Sequence, residues 1–315
     1  MPQASLIYNP AAGRFPSRIL TERAANVLRS RGWNVNLKET DGGQHITQLA
    51  AQAADQGLDV LLVAGGDGSL SRAISGLLGS KTALGVLPAG TANVWAQELG
   101  LPGLTWTRWM ALEESAKLMA NASVRKVDIG LCNKTPFLLW AGVGLDAFIV
   151  HRIEPRRRWE KHFAVAQYAA SAVRHSSRWG GMNLRAIADQ ENITGRFLLA
   201  VASNIHLYAG GHAELSPSAK LDDARMDLWL FEGDSLPEVV KHAVDLWSGR
   251  HLDSEKARRF PFSTLKLESD VSLYVQIDGE PMKGNGYVNI NVEPAALRVL
   301  IPQNAPRRLF TRSQL

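Results

Sequence analysis

Asp59-Val60-Leu61-Leu62-Val63-Ala64-Gly65-Gly66-Asp67-Gly68-Ser69 joins an unbroken apolar run to a glycine-rich, hydroxyl-bearing stop. Consecutive apolar residues without alternation read as a parallel strand buried on both faces, and the pattern over 70–78 that follows reads as a helix. The same plan returns in Leu84-Gly85-Val86-Leu87-Pro88-Ala89-Gly90-Thr91-Ala92-Asn93. Two such strand ends deliver backbone N–H groups and hydroxyls to one crevice. Gly65, Gly66 and Gly68 let the main chain approach a ligand closely, and the helix that follows aims its partly positive N-terminus at whatever sits there. The expectation is a phosphate cradle.

Asp67 sharpens that reading. A bare carboxylate about 4 Å from a phosphate charge costs on the order of 4 kcal/mol at an effective dielectric near 20. Asp67 therefore requires a cation, a proton or a hydroxyl donor beside the ligand, as in a metal–nucleotide complex or a base acting on a hydroxyl. The competing structural reading is a strand-to-helix turn capped by Asp67 or Ser69 with no ligand. No Gly-x-x-x-x-Gly-Lys-Ser/Thr run is present, which excludes the usual P-loop.

Around these turns the chain changes style. Up to residue 123, strand patterns over 5–8, 33–38, 60–64 and 84–87 alternate with helix patterns over 19–31, 45–56, 70–78 and 106–119, which argues for βαβ units and a parallel sheet. Beyond it come short alternating strands over 137–141, 183–188, 195–203, 226–231, 264–267, 271–277 and 287–292, interrupted by a helix over 236–247. That half reads as an antiparallel sandwich or barrel.

The 315 residues are 45% hydrophobic with one cysteine, as expected of a globular enzyme without a disulfide framework, and Cys132 reads as a small buried hydrophobe. The first residues lack the basic start of a signal peptide and read as a first strand, and no run of eighteen apolar residues occurs. The expected location is cytoplasmic, with peripheral contact to a membrane. A net charge of +5 favours acidic partners. The basic run His151-Arg152-Ile153-Glu154-Pro155-Arg156-Arg157-Arg158-Trp159-Glu160-Lys161 precedes a stretch over 162–175 with helical spacing of Phe163, Ala166, Ala170 and Val173. Docking on anionic lipid and an ordinary solvated loop with a packed helix are both open readings. No nucleic-acid-binding module is visible, so nucleic acid is not an expected partner.

Seven pieces in order carry a resemblance: Tyr8-Asn9-Pro10-Ala11-Ala12-Gly13-Arg14, the Gly65 to Ser69 turn, Leu87-Pro88-Ala89-Gly90-Thr91-Ala92-Asn93, Val127-Asp128-Ile129-Gly130, Gly142-Val143-Gly144-Leu145-Asp146, Pro217-Ser218-Ala219-Lys220-Leu221-Asp222-Asp223 and Asp278-Gly279-Glu280. Over nearly its whole length the chain resembles the diacylglycerol-kinase catalytic-domain family of lipid kinases, in particular its compact bacterial members. The resemblance implies an α/β nucleotide-binding domain with a parallel sheet over 1–123, rejoined by 296–315, and a β-rich sandwich domain for the lipid over 124–295. It also implies an active site in a cleft between them, with ATP and Mg²⁺ as cofactors.

Carried over residue by residue, the family's nucleotide contacts fall on Asn9, Gly13 and Arg14, on Thr40, on Gly65, Gly66, Asp67, Gly68, Ser69, Leu70, Ser71 and Arg72, and on Gly90 and Thr91. For Thr40 a helix cap before Asp41 is an equally good reading. By resemblance Glu280 accepts the proton of the attacking hydroxyl. Asp278 and Asp67 accompany it, for Mg²⁺ or for orienting the hydroxyl, with Asp128 near that acidic set; phosphoryl transfer needs little covalent chemistry beyond this. Asp278-Gly279-Glu280 taken alone reads as a surface β-turn. A second, structural Mg²⁺ falls on the main-chain carbonyls of Lys220 and Arg225 and the carboxylate of Asp223.

Departures from the family pattern are local. Ser69, Ser71 and Arg72 stand where relatives commonly have threonine, asparagine and glutamate, Val94 replaces an aspartate, and Ala224 replaces a glycine, which strains the turn if it needs positive φ. Gly142-Val143-Gly144-Leu145-Asp146-Ala147 imitates a dinucleotide fingerprint, but in a β-rich setting where Glu160 is the only acid near the expected downstream position. An NAD kinase shares the glycine turn but needs an Asn-Glu pair that is absent, and no hydrolase or zinc motif occurs. His206 and His212, flanking Gly210-Gly211, are within reach of a substrate only as isolated loop histidines. The reading is an ATP-dependent lipid kinase acting on the hydroxyl of a diacylglycerol-like lipid, with a transient membrane partner and a homodimer permitted. The alternatives are a kinase of another lipid alcohol, such as a sphingoid base or ceramide, and a non-catalytic nucleotide- or lipid-binding regulator of the same fold.

Overall fold

The computed structural model describes residues 1–10, 17–153 and 179–311. Two compact units divide the chain, Met1–Val127 with Ala295–Leu315 and Asp128–Pro294.

The first unit runs β1 (Gln3–Tyr8), α1 (Ser17–Ser30), β2 (Asn34–Glu39), α2 (Gly43–Asp55), β3 (Val60–Gly65), α3 (Asp67–Leu77), β4 (Ala83–Pro88), α4 (Val94–Glu98) and α5 (Ala111–Ala120). The strands lie in the order β2-β1-β3-β4, all parallel. Every residue of β3 and β4 is buried, as their uninterrupted apolar sequence requires of strands covered on both faces. The chain leaves β1 for β2 on one side and reaches β3 on the other, so the strand order reverses between β1 and β3. In open α/β sheets ligands bind beyond the strand ends at such a switch point.

Helix α5 begins at Ala111 rather than near 106, because the Thr105 hydroxyl takes the Arg108 amide at 3.0 Å and fixes a separate turn before the helix. The short α4 went unseen in the sequence; five residues carry too little periodicity.

The strand β5 (Ser123–Cys132) leads into the second unit. There follow β6 (Thr135–Phe137), β7 (Trp140–Gly144), α6 (Leu145–Ile153), β8 (Met182–Ala188), β9 (Glu191–Ser203), β10 (Leu207–Tyr208), β11 (Ala213–Glu214), β12 (Met226–Glu232), α7 (Leu236–Ser248), β13 (Ala257–Phe262), β14 (Thr264–Glu268), β15 (Val275–Ile277), β16 (Glu280–Met282) and β17 (Tyr287–Ile301). Antiparallel pairing runs β16-β15-β7-β9-β8-β14-β17, and β12 joins β9 to β13. Phe137, Phe197, Leu228, Phe262, Leu267, Val275 and Ile290 fill its core. Past this unit β17 continues, and Val299 pairs with Leu84 of β4 in parallel.

Two strands depart from the sequence reading. The run over 137–141 is broken into β6 and β7, because the amides of Leu138, Leu139 and Trp140 turn to the Asp278 carboxylate instead of a neighbouring strand. The run over 271–277 contributes only β15, with Val271 exposed. Gly142 to Ala147 does pass from strand to helix, but β7 has antiparallel neighbours, so no parallel βαβ unit surrounds it. Cys132 is buried, its thiol pushed up to about 12 by desolvation. Among the described residues no helix is long and apolar enough to cross a membrane. Most of the basic stretch over 151–175 lies outside the described residues, as do Gly13 and Arg14.

Candidate functional site

Register places the ends of β1, β3 and β4 side by side: Tyr8 pairs with Ala64, and Gly65 with Pro88. Asn9, the glycine turn and the Gly90 loop therefore emerge at one edge of the first unit's sheet. The two loops are in van der Waals contact. A Cβ on Gly90 would stand 2.5 Å from Gly66 Cα and 2.8 Å from Gly66 N, an approach no other residue permits. Gly66 ends the strand as the N-cap of α3, and the Ser69 and Leu70 amides turn back to its carbonyl at 2.9 and 3.2 Å. The earlier amides of the turn, those of Asp67 and Gly68, have no acceptor in the helix, as at any helix start. They suit an anion.

Asn93 locks the second loop. It adopts φ 54, takes the Gly90 amide on its side-chain oxygen at 2.8 Å and returns its own amide to the Gly90 carbonyl at 2.9 Å. Asparagine tolerates this left-handed conformation better than most residues, which was the available signal in the sequence.

Asp67 is half-buried and its two carboxylate oxygens accept the amides of Val94 and Trp95 at 2.9 and 3.0 Å. It thus caps α4, a helix other than the one it begins. Desolvation pushes its pKa above the ordinary carboxylate value, and the amides oppose that rise. Capping by Asp67 was the competing structural reading; the helix it serves lies 27 residues on.

The remaining first-unit candidates differ in role. Leu70 is buried in the core, so only its backbone faces the turn. Ser69 and Ser71 are half-buried, and Thr91 is exposed. Arg72 is exposed, with its guanidinium stem over Gly43 at the start of α2. Thr40 follows β2, its amide bound to the Tyr8 carbonyl at 2.8 Å. Its hydroxyl is buried without a hydrogen-bond partner among the described residues, and α2 is capped by Gly42 with no side-chain bond, so Thr40 is not the cap. An orphaned buried hydroxyl costs about 1–3 kcal/mol. A ligand bond there would offset it.

In the second unit Asp278 and Gly279 have φ 49 and 83 and form the two-residue turn between β15 and β16, closed by the Ile277–Glu280 pair. That is the Asp-Gly hairpin turn whose twist suits flanking strands. The Asp278 side chain is buried and accepts the Leu138, Leu139 and Trp140 amides at 3.1, 2.9 and 3.2 Å. Glu280 is half-buried at the first position of β16.

A buried network behind this turn had no role in the sequence reading. Asp146 accepts from the Tyr208 hydroxyl at 2.8 Å and Gln276 Nε2 at 2.9 Å, and Gln276 Oε1 takes the Gly279 amide at 2.9 Å. Burial pushes the Asp146 pKa up. The glycine at 142 makes room, since a Cβ there would overlap the Asp146 carboxylate and the Gln276 amide.

The turn over 220–225 is where the family resemblance puts a structural metal. Among the described residues no three His, Cys, Asp or Glu side chains gather as a metal centre, so any ion here depends on main-chain oxygens. Asp223 is exposed and takes the Arg225 amide at 3.1 Å; partial burial, then the fields of Asp128, Asp227 and Asp222, push its pKa up. Crowded acids of this kind are what a hard divalent cation relieves, so the donor set fits Mg²⁺. Against it, Ala224 has φ 60, with its amide on Asp128 at 2.6 Å. The side chain of Arg225 pairs with Asp189 at 3.4 Å.

A family model described as the diacylglycerol kinase catalytic domain matches residues 3–132, and one described as the YegS C-terminal NAD kinase beta sandwich-like domain matches residues 140–301. A protein of Mycobacterium tuberculosis named diacylglycerol kinase is 27% identical over 313 residues, 96% of each chain. One of Bacillus subtilis with the same name is 25% identical over 285 residues, 89% of this chain and 90% of its own. The crystal structure of a diacylglycerol kinase from Bacillus anthracis shares the fold at 18% identity, with a TM-score of 0.72 over 96% of this chain and 98% of that one. This chain belongs to the diacylglycerol kinase catalytic-domain family, with a YegS-type sandwich as its second part. The names of its relatives support a lipid kinase, and a kinase family implies the use of ATP.

Proposed function

We propose that the protein transfers the γ-phosphoryl group of ATP to the hydroxyl of a diacylglycerol-like lipid. The observation that carries the reading is the contact of the Gly66 and Gly90 loops, beyond the ends of β3 and β4 and beside the switch point of a parallel sheet, in a chain of this family. Amides of the Gly65 to Ser69 turn and the Gly90-Thr91 loop hold the triphosphate, with Asn9 at the same edge and Arg72 as an added cation; by the family resemblance Gly13 and Arg14, outside the described residues, add nucleotide contacts. Thr40 supplies its orphaned hydroxyl to the nucleotide.

Glu280 accepts the proton of the lipid hydroxyl as it attacks the γ-phosphorus. Asp67 and Asp278, saturated by main-chain amides, act by holding the loops that carry the phosphate-binding amides and Glu280. Bound at Lys220, Asp223 and Arg225, Mg²⁺ would neutralise the acids of that turn; the ion accompanying ATP arrives with the substrate.

One observation favours the regulator reading: the alanine at φ 60 in the metal turn, together with Val94 and Arg72 in place of acids. Labelled ATP offered with diacylglycerol, ceramide, a sphingoid base and other lipid alcohols in mixed micelles separates the two. Phospholipid product from diacylglycerol is expected. Product from another alcohol alone moves the substrate, and binding of Mg-ATP without product from any supports the regulator.

A further inference from the structure

Helix α7 presents an apolar face to solvent. Its exposed side carries Val240, Ala243, Val244 and Trp247 at helical i, i+3, i+4 and i+7 spacing, with Val240 50%, Val244 47% and Trp247 79% exposed. Leu252, just beyond the helix, is 51% exposed. The side toward the protein carries the polar residues His242 and Asp245, both buried, beside half-buried Val239 and Leu246. His242 Nε2 lies 2.8 Å from the Glu232 carbonyl and its ring meets Phe231 edge-on. Asp245 binds Lys241 at 2.5 Å and Arg250 at 3.3 Å. At the N-terminus Glu238 accepts from the Ser235 hydroxyl and the Asp234 amide and pairs with Lys256. These bonds fix which face points out. A helix built to face water would be placed the other way round.

We infer that the Val240–Val244–Trp247 face of α7 docks the protein on the interface of a bilayer containing anionic lipid. The sector open to solvent holds no acid, since Glu238 and Asp245, the helix's two carboxylates, are paired on the protein side. Its rim carries Lys241 and Arg250, whose side chains are 58% and 66% exposed, and Asp245 orders both without covering them. Apolar centre, tryptophan and basic edge are the pattern of a helix lying in the headgroup boundary, where aromatic and basic side chains concentrate. The length agrees: thirteen residues lie flat over about 20 Å, whereas a span needs about 20 residues. The choice of a bilayer over a second copy of the chain rests in part on the lipid-kinase reading, because a diacylglycerol-like substrate resides in a membrane.

Sedimentation with vesicles free of nucleotide and of any lipid alcohol tests docking apart from phosphoryl transfer. The wild type should co-sediment with equimolar phosphatidylcholine and phosphatidylserine, and less with phosphatidylcholine alone. Val244→Asp with Trp247→Ala should lower the partition coefficient about tenfold or more, each tenfold step being about 1.4 kcal/mol of lost burial. Lys241→Gln with Arg250→Gln should reduce binding to the anionic vesicles only. Val244 and Trp247 are exposed, so the first double variant should melt as the wild type does, whereas the Lys241 and Arg250 variant, which also removes the pairs of buried Asp245, is compared at a temperature below its own melting; Val240→Ser offers a milder probe of the same face. Absence of wild-type binding, or unchanged binding in the first double variant, overturns the inference. So does a wild-type dimer in light scattering that the double variant dissociates, since the face would then be an interface between copies. Failure of phosphoryl transfer with vesicle binding intact removes the kinase reading and leaves the docking face standing.

Discussion

The glycine turn at the end of β3 and the acidic turn over 220–225 make opposite use of carboxylates and backbone strain. In the first, Asp67 is met by two main-chain amides and the close approach is taken by glycines, so the charge and the geometry are both satisfied. In the second, Asp223 has one amide, stands in the field of three more acids, and an alanine occupies φ 60. The satisfied turn is architecture that presents amides. The crowded one has the electrostatics that a bound cation would relieve.

The largest expected effect lies in the first turn. Gly90→Ala forces a methyl to within 2.5 Å of Gly66 Cα, and should cost about 2–3 kcal/mol of stability together with most of the Mg-ATP affinity. Thermal melting and titration calorimetry read both, and an unaltered variant would break the claim that these loops touch. Asp67→Asn and Asp278→Asn come next. Each puts an amide donor where backbone donors point, and about 2 kcal/mol should be lost in denaturant unfolding.

Smaller and opposite in sign, Ala224→Gly should stabilise the fold by about 1 kcal/mol by relieving the left-handed alanine. The smallest effect is that of Mg²⁺ on melting without nucleotide. Because Asp223 has a raised pKa, its contribution favours the protonated fold at low pH, is lost as pH rises through that value, and leaves the ionised turn strained at neutral pH. Mg²⁺ should therefore raise the melting temperature at neutral pH, through a stabilisation of about 0.4 kcal/mol when free ion equals its Kd, and less in acid. Asp223→Asn should abolish the rise. A Mg²⁺ effect that survives the substitution would place the ion elsewhere.

What the sequence made legible was local. The apolar runs that become β3 and β4 and the glycines that stop them stand in adjacent positions, and Asp278-Gly279 announces a hairpin by chemistry confined to two residues. What it hid is set by distant partners. Asp67 accepts from the amides of Val94 and Trp95, and Asp146 meets Tyr208 and Gln276 from 62 and 130 positions away. No spacing rule links such residues. The periodicity of α7 was equally plain over 236–247, but periodicity gives two faces without saying which one the protein buries; the bonds of His242 and Asp245 decide that.

The account divides its carboxylates into those that hold the fold and one that takes a proton, and Glu280→Gln tests that division most directly. Turnover of labelled ATP into phospholipid by this variant should fall about 10²–10⁴-fold, the usual range for a lost general base, with melting temperature and Mg-ATP affinity as in the wild type. Undiminished turnover would contradict it and remove Glu280 as the proton acceptor.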